Sequence, residues 1–80
     1  ANAPRRDRAG VAQMLTLLYG LTGAEAEIAT RLFDGKSRSQ IAGERGVVAE
    51  TLRGQIKRIH AKCGVDGEAA LMRLMAAFLA

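Results

Sequence analysis

The chain has 80 residues, a formal net charge of +4 at neutral pH, 49% hydrophobic residues and only 4% aromatic ones. That length leaves room for one domain, with a single apolar core barely large enough to fold alone, and none for a second. The single cysteine excludes an internal disulfide and suits a reducing, cytoplasmic compartment. No secretory leader is expected. The apolar runs at 11–19 and 69–80 are too short to span a bilayer, and Arg73 interrupts the second, so no membrane association is expected either.

The elements follow in chain order, and no β-branched alternating run interrupts them. Residues 1–8, with Pro4 and the cluster Arg5, Arg6 and Arg8, read as an unpacked basic tail. From 9 to 19, Val11, Met14, Leu15 and Leu18 recur at helical spacing up to Gly20, predicting an amphipathic helix. Its apolar stripe must pack on the domain itself, on a twin copy or on an upstream domain. Thr22 then opens a second helix as T-x-x-E with Glu25. Its buried face is Ile28, Ala29, Leu32 and Phe33, and Gly35 ends it as a left-handed cap.

Ser37 repeats the device as S-x-x-Q with Gln40, starting a short helix through Ile41 and Ala42 to Arg45, and Gly46 turns the chain. A helix from about 49 to 63 follows, stopped by Gly64, with Val48 at its N-cap position. Leu52, Ile56, Ile59 and Cys63 form its apolar face, while Glu50, Arg53, Gly54, Lys57, Arg58 and Ala61 form the rest. Glu50 in the first turn partly offsets the missing side-chain cap through the helix dipole. Asp66 is expected to cap a last helix whose Leu71, Met72, Met75, Phe78 and Leu79 extend over more than one stripe. Those five residues are the expected homodimer contact.

The charge is concentrated. Between 35 and 62 stand Lys36, Arg38, Arg45, Arg53, Lys57, Arg58 and Lys62 against Glu44 and Glu50, whereas the rest of the chain is close to neutral. That is the distribution expected of a phosphate-binding surface. Gly54 and Ala61 let the backbone of the 49–63 helix approach such a partner closely. By contrast, one histidine and scattered acids assemble no Ser-His-acid set, no paired catalytic carboxylates and no phosphate-cradling glycine loop, so no enzyme and no cofactor are expected. His60 and Cys63 lie three apart on one helix, which is too few ligands for a metal.

With these residues laid out, the stretch LTGAEAEIATRLFDGKSRSQIAGERGVVAETLRGQIKRIHAKCGV resembles the LuxR/FixJ-type (GerE-like) helix-turn-helix output domain. The family pattern runs LT-x-x-E-x-E-V, G-x-S-x-x-E-I-A, T-V-K/R and I-x-x-K-x-G. Leu21, Thr22, Glu25, Gly35, Ser37, Ile41, Ala42, Thr51, Arg53, Ile59, Lys62, Gly64 and Val65 stand in register with it. Gln55, Lys57 and Lys62 match the branch with T-V-R-x-Q-L-K and K-T-G. The resemblance implies an all-α fold, a four-helix helix-turn-helix bundle at 21–80, here with an additional N-terminal helix and basic tail at 1–20. It also implies a third bundle helix in the major groove of double-stranded DNA, and a final helix that often pairs two subunits.

Carried over by position, Arg53, Gly54 and Lys57 would face the groove, and Thr51 and Ser37 would touch phosphates. Arg38, Arg58 and Lys62 add to the backbone contacts, while Glu50, Arg53, Gln55 and Lys57 sample base edges. Val48, Glu50 and Gly67 depart from the family pattern. They support the alternative, a helical protein-interaction module that docks on RNA polymerase or an acidic partner.

Overall fold

The computed structural model describes residues 3–78, and among them every regular element is a helix: α1 Ala3–Tyr19, α2 Gly23–Phe33, α3 Arg38–Arg45, α4 Ala49–Cys63 and α5 Glu68–Ala77. The helix count agrees with four helices plus one at the N-terminus. The backbone of α1 begins at Ala3 rather than at residue 9, so the expected tail is helical from there. Pro4 is compatible with that position, because a first-turn residue has no intrahelical use for the N–H that proline lacks. The side chains of residues 3–8 and all of Leu79 lie outside the described part.

Local chemistry fixes the helix ends. Both capping boxes form: Thr22 Oγ1 accepts from the Glu25 amide at 3.1 Å while the Glu25 carboxylate accepts from the Thr22 amide at 2.9 Å. Ser37 and Gln40 exchange the same pair of bonds at 3.1 and 2.9 Å. At the other ends of α3 and α4, Gly46 and Gly64 each take φ of 68°, the left-handed region that only glycine enters cheaply. The residue after each glycine then bonds back across the last turn, Val47 to the Ala42 carbonyl and Val65 to the His60 carbonyl, both at 3.0 Å. Val47 and Val65 pack on the core as they do so.

The start of α5 differs from expectation. Its N-cap is Gly67 in extended backbone, with no side-chain bond, and Asp66 lies one residue too early to serve.

The core is drawn from every helix. Leu15 and Val11 of α1, Ile28 and Leu32 of α2, Ile41 of α3, Leu52, Ile56 and Ile59 of α4, and Leu71 and Met75 of α5 are all buried. Such side chains contribute about 1.5–3 kcal/mol each relative to exposure. α2 and α4 each pack against all four other helices, so α4 is held along its inner face and has one side left for solvent. Cys63 is buried at its end, and desolvation raises its thiol pKa, with the Glu25 carboxylate adding to the shift.

Burial of α5 corrects the expected dimer contact. Leu71 and Met75 are fully enclosed in the chain's own core and have no surface to offer a partner. Met72 and Phe78 are half-buried against that core. The exposed apolar surface lies instead on α1, where Met14, Leu17 and Leu18 stand out at i, i+3 and i+4. Val11 and Leu15 are buried in the core beside them, which splits the stripe expected to act as one.

Candidate nucleic-acid interface

α3 and α4 are joined by three residues and pack against each other. Between them lies a cleft of about 370 Å³ lined by Arg38, Ser39, Ala42, Ala49, Leu52 and Arg53. Leu52 and Ala42 form its floor, since both are buried. Two guanidiniums and the Ser39 hydroxyl form its rim. Ser39 was not among the expected site residues. The available signal was its place in the first turn of α3, next to Arg38.

From the cleft the outward arc of α4 runs through Arg53, Lys57, Glu50, Gly54 and Arg58 to Thr51. Arg53, Glu50, Thr51, Lys57 and Arg58 are all exposed. A β-carbon added at Gly54 would meet nothing within 4 Å, so its own fold does not require a glycine there. The side chains of Lys57 and Arg58 make no ion pair among the described residues. Arg53 has only a 3.5 Å approach to Glu50.

The other cations of the basic stretch have different occupations. Lys36 binds Glu44 at 2.7 Å, Arg45 binds Glu27 at 2.7 Å, and Arg31 of α2 bridges Glu27 and Glu44. The Lys36 ammonium hydrogen bond and the nearby Arg31 guanidinium hold the Glu44 carboxyl below its usual range. Arg38 reaches Glu68 of α5 at 3.2 Å. Lys62, expected to be a DNA contact, donates at 2.7 Å to Glu25, which is buried, and at 3.4 Å to the Gly20 carbonyl. That bond, more than any other influence, lowers the Glu25 pKa, with the Thr22 amide helping and burial opposing. Lys62 therefore ties the end of α4 to the junction of α1 and α2.

Two more expected residues take different places. Gln55 is half-buried, and its side-chain oxygen is enclosed without a hydrogen-bond partner among the described residues, so it does not share the outward arc with Lys57. Ser37 spends its hydroxyl on the Gln40 amide as a cap. Thus Arg38, Glu50, Thr51, Arg53, Gly54, Lys57 and Arg58 remain together around the cleft and arc, while Ser37 and Lys62 have work inside the fold and Gln55 lies off the arc. Among the described residues no group of three His, Cys, Asp or Glu side chains is placed to hold a metal ion. No helix there is long and apolar enough to cross a membrane. Comparison of the chain with family models, with curated proteins and with solved structures finds no match.

Proposed function

We propose that this chain is a non-enzymatic, sequence-specific DNA-binding domain of a transcriptional regulator, of the LuxR/FixJ helix-turn-helix type, with α4 entering the major groove. The observation that carries the reading is the division of labour among the cations. Lys36, Arg45 and Lys62 are paired with scaffold acids, yet Lys57 and Arg58 stand exposed on α4 beside Arg53 with no ion pair among the described residues. They flank Gly54 and Ala61, where the helix backbone is least shielded. A cationic, closely approachable helix back-packed into a core suits a groove lined by phosphates.

Arg53→Ala and Lys57→Ala are each expected to weaken duplex binding by about 1–3 kcal/mol, because each removes a charged contact from the groove side. Their melting temperatures should stay close to wild type, since both side chains are exposed. Fluorescence anisotropy against labelled duplexes measures this, and wild-type affinity in both variants contradicts the placement of α4.

The apolar surface at Met14, Leu17 and Leu18 favours a second reading, a helical protein-interaction module for RNA polymerase or another partner. A chain that binds no duplex at any salt concentration would support that reading over the first.

A further inference from the structure

Glu50 is the feature that a simple phosphate-binding surface does not explain, because it places an anion in the middle of the cationic arc. Among the ion pairs of the described residues, Arg53–Glu50 is the one in which both side chains are more than two-thirds exposed, at 70% and 82%. Every other pair has a partner less than half exposed. This pair holds no other helix in place. Its atoms sit 3.5 Å apart on successive turns of the same face, so the guanidinium keeps its donors and the carboxylate its acceptors free for a third party.

Side by side, the two groups present two N–H donors and then an acceptor. The major-groove edge of a G·C pair presents the complement: guanine N7 and O6 as acceptors, then the cytosine N4 amine as donor. An A·T pair alternates acceptor, donor, acceptor, which opposes a carboxylate to the thymine O4. We propose that Glu50 and Arg53 read one G·C pair as a unit, the guanidinium on guanine and the carboxylate on the cytosine amine. This rests on the DNA-binding reading above and names the base pair that the same surface selects. The carboxylate has a second effect: it repels phosphates wherever the cytosine amine is missing, so it lowers affinity for unselected sequence.

The test is selection from a randomised duplex pool by wild type, Glu50→Ala and Glu50→Gln, followed by titration of the selected site and its single-position variants. Helical circular dichroism and melting temperature confirm that each variant is folded. Wild type should prefer G·C at one position by about 10-fold or more over the other pairs. Glu50→Ala should reduce that preference to within about 3-fold and bind random duplex more tightly, while Glu50→Gln, which still accepts from an amine, should fall between them. Sequence selection that Glu50→Ala leaves intact at every position overturns the paired readout alone and leaves DNA binding standing. Equal binding of all duplexes overturns sequence-specific recognition and this inference with it, and binding of none overturns the DNA-binding reading altogether.

Discussion

Val48 occupies the N-cap of α4 in extended backbone, is 68% exposed and makes no side-chain bond to the helix. Ser, Thr, Asp or Asn there would accept from one of the free first-turn amides, as Thr22 and Ser37 do for α2 and α3. Val48→Ser is therefore expected to stabilise the fold by about 1 kcal/mol, a rise of roughly 4–8 °C in Tm for a domain this small. Differential scanning calorimetry measures it, and an unchanged or lower Tm would show that the exposed valine has a role in the turn. A second residue-scale prediction concerns Glu25. Its folded pKa is lowered, so the Lys62–Glu25 contact contributes stability above the unfolded carboxylate pKa, which is lost as pH falls through the lowered folded value. Tm should accordingly decline below about pH 5. Glu25→Gln should flatten the decline, and an equally steep acid slope in that variant would locate the acid sensitivity elsewhere.

Among the elements, α5 separates two substitutions that look alike on paper. Met75 is fully enclosed and Met72 only partly, although both are methionines three residues apart on one helix. Met75→Glu places an unpaired carboxylate in the core and should unfold the domain at neutral pH, whereas Met72→Glu should leave a cooperative transition with a loss of no more than about 1–2 kcal/mol. Chemical denaturation of the two variants checks this, and similar midpoints would contradict the burial of Met75. The same helix shows where the sequence stops being informative. Periodicity and capping marked α2, α3 and α4 well, since the T-x-x-E, S-x-x-Q and glycine signals act within one turn of the chain. They could not say which of two adjacent apolar stripes on α5 faces inward, because that depends on how α2 and α4 cross it. The exposed face of α4, the candidate site, was legible to the same depth. Arg53, Lys57 and Arg58 followed from helical spacing alone. Lys62 did not, because its surroundings come from a helix far away in sequence: it reaches a carboxylate 37 positions off.

For the molecule as a whole, the net charge of +4 overstates how much positive surface is free, because ion pairs within the fold consume much of the basic stretch. Dimerisation through α5 would rest on Met72 and Phe78, with Leu71 and Met75 already committed to the core. Such a pair would set two α4 helices about 34 Å apart, one turn of the duplex. Sedimentation across a concentration series, with a half-site and a palindrome as ligands, tests it: association through α5 would be weakened by Met72→Glu, and association through the exposed face of α1 by Leu17→Glu instead. A monomer at every concentration contradicts that arrangement. The central claim, that the outward arc of α4 is what meets DNA, is tested most directly by the slope of log affinity against log salt for wild type, Arg58→Ala and Arg73→Ala. Arg58 and Arg73 are both exposed and unpaired among the described residues, but they stand on α4 and α5 respectively. Arg58→Ala is expected to make the slope shallower by about 1 and Arg73→Ala to leave it unchanged. A slope that neither substitution alters, or that both alter equally, would contradict it.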